Sequence, residues 1–113
     1  MPNVATIKLN KEFRRAYYQG KYRAHPLLVT YRMKNRGKRT RIGITASKKI
    51  GGAVQRNRAR RIIRQAFWEL WKEDESLHRG YDYVFVARSA TVSSNTPEIK
   101  RVMKKQLEKL EQP

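Results

Sequence analysis

The sequence contains no cysteine and no long apolar run. Without cysteine it can form neither disulfides nor thiolate metal sites. Its longest apolar stretches are only a few residues, far too short to cross a bilayer, and residues 1–7 lack the apolar segment of a signal peptide. We therefore expect no membrane span, no disulfide framework and a cytoplasmic location.

Acidic residues are also scarce. The chain has 27 Lys and Arg against 9 Asp and Glu, a net charge of +18, and no acid lies between Phe13 and Trp68. These positive charges would repel one another unless a polyanion were usually bound beside them. Nucleic acid is the expected partner and an anionic membrane surface is the alternative. We favour nucleic acid because the main basic helix uses Arg, whose planar guanidinium pairs with phosphate and stacks on bases, whereas membrane-surface helices expose a broad apolar face.

The segment after Gly51 and Gly52 has the periodicity of an amphipathic helix ending near 71–74. The predicted buried stripe consists of Ala59, Ile62, Ile63, Ala66, Phe67, Leu70 and Trp71. The opposite side carries Asn57, Arg61, Arg64 and Trp68, flanked by Arg58 and Arg60. The two glycines are not a phosphate-binding P-loop, because Ala and Val follow where Lys and Ser or Thr are required.

The part of the chain before this helix predicts a short helix and two strands. Asn10 is the expected N-cap of a helix over Lys11–Gln19 that Gly20 ends. The stretches Leu27–Met33 and Arg39–Ser47 are rich in β-forming residues, and residues 34–38 between them read as a turn. These patterns predict an antiparallel hairpin with a basic tip.

The part after the long helix predicts one strand and one helix. Tyr81–Arg88 is apolar at successive positions, which indicates cover on both faces. Residues 93–96 offer capping oxygens to a C-terminal helix, with Pro97 at its first position. The apolar stripe of that helix consists of Ile99, Val102, Met103, Leu107 and Leu110. The predicted fold is a single α/β domain (an α+β sandwich), a small sheet with helices packed on it in the order α-β-β-α-β-α.

No pattern in the sequence suggests catalysis by the protein. His25 and His78 are far apart in sequence and have no acidic or cysteine partners at metal-ligand spacing. A Ser-His-Asp site would have to recruit them without any supporting motif. The acidic run at residues 73–75 lies at a helix end, where a solvated charge cluster is the ordinary explanation. We therefore expect no catalytic residues and no metal site.

The basic helix and its flanks resemble a known family. Arg56-Asn57-Arg58, within the segment 48–64, is similar to the RNR motif of the bacterial ribonuclease P protein subunit. Residues 12–20 resemble that family's first helix and residues 80–88 its strand after the motif helix. The resemblance extends over the whole chain, 1–113, and is weakest at 34–40 and 89–98.

The resemblance implies a fold feature and a function. In the family, the strands before and after the motif helix are parallel neighbours joined by a left-handed crossover, whereas general rules favour a right-handed one. The family's catalytic RNA removes the 5′ leader of precursor tRNA and uses Mg²⁺. The protein binds ribonuclease P RNA and precursor tRNA, with no cofactor of its own and no obligate protein partner.

The resemblance also implies site residues. The positions that match the RNA-binding motif are Lys48, Lys49, Arg56, Asn57, Arg58, Arg60, Arg61 and Arg64. Those that match the cleft for the single-stranded leader are Phe13, Tyr17 and Tyr31, whose rings suit sequence-tolerant stacking of bases. The family often has Phe at the position of Tyr17 and Lys at that of Arg60.

Two alternative functions belong to other classes of protein. A structural or ribosome-associated RNA-binding protein would explain the charge and the fold but not the full motif. A protein-only nuclease is disfavoured because a two-metal site needs carboxylates from separated elements, which the sequence does not offer.

Overall fold

A five-stranded mixed sheet forms the centre of the structure, a computed structural model that describes residues 4–37 and 39–112. The strands are β1 (Val4–Thr6), β2 (Lys21–His25), β3 (Leu28–Lys34), β4 (Thr40–Thr45) and β5 (Tyr81–Ala87). Their order across the sheet is β1-β4-β5-β3-β2. β4 is parallel to β1 and β5, whereas β3 is antiparallel to β5 and β2. The mixed α+β fold predicted from the sequence is confirmed.

Helices cover both faces of the sheet. They are α1 (Asn10–Gln19), α2 (Ala53–Glu73), the single turn α3 (Ser89–Val92) and α4 (Thr96–Glu111), and 3-10 turns occupy Lys48–Ile50 and Glu75–His78. α2 and α4 pack on one face, over Tyr83 and Phe85 of β5. α1 packs on the other face, where Val84 is buried beside Ala16. The alternation along β5 confirms that this strand is covered on both sides.

The predicted antiparallel hairpin of Leu27–Met33 and Arg39–Ser47 is wrong, because the corresponding strands, β3 and β4, are not neighbours in the sheet. β5 lies between β3 and β4, with pairs such as Thr30–Phe85 on one side and Ile44–Phe85 on the other. Neighbouring strands in sequence usually pair, but β5 is the most apolar strand and gains most from the central position. Residues 35–39 therefore connect two strands that are not neighbours, and Lys38 lies outside the described residues.

Three elements were not predicted from the sequence: β1, β2 and α3. β2 and β3 form the actual hairpin, joined by a two-residue turn at Pro26 and Leu27 with His25 paired to Leu28. β2 is exposed at every position, and its short alternation of Lys21, Arg23 and His25 with Tyr22 and Ala24 was the strand signal that the sequence prediction missed. The expected order α-β-β-α-β-α is thus incomplete.

Helix boundaries are close to those expected. α1 begins one residue early, at Asn10, so Leu9 is the N-cap residue and Asn10 is not. α4 has Asn95 as its N-cap, whose side chain accepts a hydrogen bond from the Glu98 amide at 3.0 Å, and Pro97 is its second residue. The parallel pairing of β4 and β5 around α2, which the family resemblance implied, is confirmed.

Candidate nucleic-acid interface

The buried stripe of α2 leaves its basic face in solvent. All seven apolar residues predicted for this stripe are buried. Gly51 has a φ of 147°, a backbone conformation that residues with a side chain rarely adopt. This conformation lets the chain leave the preceding 3-10 turn. α2 then begins at Ala53, and its anchored face forces the arginines of the motif toward the opposite side.

The basic residues of α2 differ in what they contact. Arg58 donates from Nε to the Val92 carbonyl at 2.9 Å and so ties α3 to α2. Arg60 donates to the Asn57 side-chain oxygen at 3.3 Å. Arg61 and Arg64 are exposed and line a groove of about 410 Å³ beside the start of α4. Arg61 and Arg64 are therefore the guanidinium groups most available to an external phosphate.

The remaining predicted residues of the basic surface lie at the start of the same segment. Lys48 and Lys49 are exposed in the 3-10 turn that precedes α2. Arg56 is half-buried, and its Nε lies 3.5 Å from the Gly52 carbonyl. We call the face formed by Lys48 to Arg64 the α2 basic face. It holds all eight residues that the resemblance assigned to RNA binding, on one continuous stretch of chain.

An aromatic cluster lies on the opposite face of the sheet, between α1 and the strands. Phe13 is half-buried over Gly43, where a Cβ atom would lie 2.5 Å from the phenyl Cε1. Tyr17 is 37% exposed, and its ring centroid lies 5.0 Å from that of Tyr31 in an edge-to-face arrangement. Burial raises the pKa of Tyr31, with smaller contributions from Tyr17 and Tyr22. The structure thus brings together the three aromatic residues predicted for a cleft.

Tyr22 is a fourth member that the sequence prediction missed. Its ring stacks on Tyr31 with centroids 5.4 Å apart and is 59% exposed. The two residues are paired across the β2–β3 hairpin. The available signal was the run Lys21-Tyr22-Arg23, an aromatic residue between two cations, which could not be placed because β2 was not predicted. We call Phe13, Tyr17, Tyr22 and Tyr31 the aromatic cleft.

An ion-pair network holds α1 over this cleft. Arg41 on β4 donates to both carboxylate oxygens of Asp82, at 2.9 and 2.6 Å, and to Glu12 of α1 at 2.5 Å. Asp82 is buried on β5 and also accepts a hydrogen bond from Asn35 at 2.8 Å. The Arg41 bond lowers the pKa of Glu12, and the Asp82 bond raises that of Arg41. Sequence reasoning missed this network, although Glu12 is the only acidic residue before Glu69.

The histidines and the acidic run have structural contacts. His25 accepts a hydrogen bond from the Leu27 amide at 3.0 Å, and the His78 ring stacks on Trp71 with centroids 3.6 Å apart. Glu73 pairs with Lys100 of α4 at 2.6 Å, which raises the pKa of Lys100. Within residues 4–37 and 39–112, no three His, Asp or Glu side chains are grouped as metal ligands. No helix in this part of the chain is long and apolar enough to cross a membrane.

Comparison with known proteins identifies relatives along nearly the whole chain. The sequence model of the family described as Ribonuclease P matches residues 1–111. The ribonuclease P protein component of Clostridium botulinum (strain Langeland) is 43% identical over 96 residues, which cover 85% of this chain and 82% of that protein. The corresponding protein of Clostridioides difficile (strain 630) is 39% identical over 98 residues, with coverage of 87% and 84%.

Solved structures give the same result. The Staphylococcus aureus RNase P protein superposes with a TM-score of 0.79 at 30% identity, covering 94% of each chain. The RNase P protein of Thermotoga maritima superposes with a TM-score of 0.74 at 21% identity, covering 88% of this chain and 92% of that one, a likeness of fold.

Proposed function

Because the chain belongs to the ribonuclease P protein family, we propose that it binds a catalytic RNA on one face and the 5′ leader of precursor tRNA on the other. As a ribonuclease P protein component, it is part of an endoribonuclease holoenzyme that acts in tRNA 5′ processing. Family membership also implies an RNA partner. The assignment of each RNA to a face follows from the chemistry of the two surfaces.

The α2 basic face suits the catalytic RNA. A folded RNA presents rows of backbone phosphates, and exposed guanidinium groups on one helix bind them without reading sequence. Arg61 and Arg64 provide the accessible cations, while Arg58 fixes α3 against the helix. A rigid helix whose other side is fully buried holds these charges at constant spacing, which favours one binding geometry.

The aromatic cleft suits a single strand. Unpaired bases stack on exposed rings, and such stacking contributes about 1–3 kcal/mol per base by alanine substitution. Tyr17 and Tyr22 are exposed around the half-buried Tyr31, and Lys21 and Arg23 flank Tyr22 on the same strand. A leader would therefore meet rings for its bases and cations for its phosphates. Mature tRNA has no leader and would not use this surface.

The bond cleavage is assigned to the RNA and its Mg²⁺. Magnesium prefers oxygen ligands in near-octahedral geometry, and the described residues bring no group of three His, Asp or Glu side chains together. The most buried carboxylate of the cleft region, Asp82, is bonded to Arg41 and Asn35. The protein's side chains therefore fit binding and positioning rather than metal-assisted hydrolysis, and Mg²⁺ would be held by RNA phosphates.

The protein's contribution is electrostatic and positional. A net charge of +18 offsets the repulsion between two RNA molecules that must approach closely. The leader contact adds affinity that only the precursor can use, so the holoenzyme distinguishes substrate from product. The observation that carries this proposal is the cluster of exposed tyrosines, Tyr17 and Tyr22, on the sheet face opposite the α2 basic face.

The test is reconstitution. The purified chain is given precursor tRNA at low Mg²⁺ with and without the cognate ribonuclease P RNA, and the 5′ cleavage products are measured. The proposal expects cleavage only when both are present, with the RNA alone inactive at that Mg²⁺ concentration. Cleavage by the protein alone would indicate a protein nuclease. Cleavage in neither mixture would indicate an RNA-binding protein of another class, such as a ribosome-associated one.

A further inference from the structure

A basic groove lies between β2 and α4 and extends beyond the proposed leader surface, with which it shares Lys21 and Arg23. β2 is the edge strand of the sheet and is exposed along its whole length. Its residues Lys21, Arg23 and His25 alternate with Tyr22, which stacks on the α1 side of the sheet, and therefore face α4. The buried Gln106 of α4 donates to the carbonyls of Arg23 and Leu28, at 3.2 and 2.8 Å. These bonds fix the two walls of the groove relative to each other.

The helix wall of the groove is also basic. Arg101, Lys105 and Lys109 follow one another at i, i+4 and i+8, so they share one face of α4. They line a hollow of about 290 Å³ together with Arg23 and His25. A second hollow of about 420 Å³ shares Arg23 and Lys109 with the first. Neither hollow has an Asp or Glu among its lining residues.

The groove is continuous with the aromatic cleft. Tyr22 lines the second hollow and also stacks on Tyr31 inside the cleft. A strand of RNA that leaves the cleft over Tyr22 would cross the sheet edge at Lys21 and Arg23 and then reach Lys109 of α4. No other feature is needed to connect the two surfaces, because the edge strand forms the rim of both.

The topology indicates which end of the leader takes this path. The cleft begins at Phe13 over Gly43 of β4 and ends at Tyr22 of β2, with β5 and β3 between. The 3-10 turn with Lys48 and Lys49 follows β4 directly, so a catalytic RNA on the α2 basic face lies at the β4 end. With the leader in the aromatic cleft, the nucleotides next to the cleavage site would then lie at β4 and those farther upstream at β2.

We propose that the groove between β2 and α4 binds the backbone phosphates of the 5′-distal part of the leader. This inference rests on the proposed binding of the leader in the aromatic cleft. The groove offers mainly cations, and its only rings among the lining residues are Tyr22 at the rim and the exposed His25 imidazole, so we expect the contact to read mainly the backbone and to depend little on sequence. It extends the leader site from a few stacked bases to a longer strand and makes affinity depend on leader length.

The test compares leader lengths in the reconstituted holoenzyme. Two precursor tRNAs are used, with leaders of about 4 and about 16 nucleotides, the limits of site size for common single-strand-binding folds. The variant Lys105→Ala/Lys109→Ala removes two groove cations. The control variant Arg79→Ala/Lys104→Ala removes the same charge from exposed positions that line neither hollow. Melting temperatures are measured for all proteins.

We expect the groove variant to bind the long-leader precursor roughly fivefold more weakly, as for two exposed ion pairs. Its salt slope on that substrate should fall in magnitude by about 1.4. Its affinity for the short-leader precursor should equal that of the wild type, and the control should match the wild type on both. Equal weakening on both leaders, or no weakening on either, would overturn the proposal. A different result would contradict leader binding in the aromatic cleft itself: wild-type holoenzyme that binds the short-leader precursor no more tightly than mature tRNA.

Discussion

Substituting Asp82 should loosen α1 and with it the aromatic cleft. The Asp82 carboxylate accepts three hydrogen bonds, two from Arg41 and one from Asn35, and its side chain is 2% exposed. Breaking a fully buried ion pair costs about 3–5 kcal/mol. Arg41 is 31% exposed and keeps its bond to Glu12, so water can solvate it after Asp82→Ala. We therefore expect a loss of about 2–3 kcal/mol.

This loss converts into a measurable melting shift. The entropy of unfolding is about 2.1 cal/mol/K per residue. Dividing the lost free energy by this entropy for 113 residues gives a decrease in melting temperature of about 10 °C. Arg41→Ala should cost more, because it leaves the buried Asp82 carboxylate without its cation. The assay is thermal unfolding followed by circular dichroism, with leader-dependent binding measured on the same proteins below their transitions.

A charge-matched control separates packing from electrostatics. Glu108→Ala also removes one negative charge, but from an exposed position on α4, and should change stability by less than about 0.5 kcal/mol. If Asp82→Ala melted within about 2 °C of the wild type, the network would not anchor α1. The same conclusion would follow if Arg41→Ala were the milder of the two substitutions.

The other predictions concern the core, the α2 basic face and acid stability. Phe67→Ala should cost about 3–5 kcal/mol through lost burial and a cavity, since the ring is fully buried; a folded Phe67→Ala protein that only loses RNA affinity would contradict this. Arg61→Ala/Arg64→Ala should lower the magnitude of the salt slope for the catalytic RNA by about 2 with the fold intact; an unchanged slope would place the phosphate contacts elsewhere. The pKa of Glu12 is lowered by Arg41, so its stabilisation is present above about pH 4.3 and lost as pH falls through the lower folded-state value. Melting curves of Glu12→Gln and the wild type should therefore converge in acid, and a constant difference between them would refute the assignment.

Long periodic segments were predictable from the sequence because local spacing determines which face is buried. All seven stripe residues of α2 and the apolar stripe of α4 are buried as predicted, and β5 is covered on both sides. These elements need only their own residues to reveal their orientation. The exposure of Arg61 and Arg64 followed from the same helix phase that buries Phe67, whereas the full set of eight residues of the α2 basic face came from the family resemblance.

Contacts between distant segments could not be predicted in this way. The position of β5 between β3 and β4 depends on which strand gains most from burial on two faces, a property of the whole sheet. The network joins Arg41 to Glu12, 29 positions away, and to Asp82, 41 positions away. No sequence periodicity connects residues at these separations. Tyr22 was missed for a related reason: its five-residue strand is exposed throughout, and the alternation within it gains a clear meaning only from the pairing of β2 with β3.

The most direct test of leader binding is the ratio of holoenzyme affinities for precursor and mature tRNA in Tyr17→Ala and Tyr22→Ala. Both rings are exposed, so stability should change little while about 1–3 kcal/mol of stacking per base is lost. We predict that each variant binds the precursor more weakly, with affinity for mature tRNA and the melting temperature unchanged. Equal weakening for both tRNAs, or weakening that follows a fall in melting temperature, would show that these tyrosines serve the fold and not the leader.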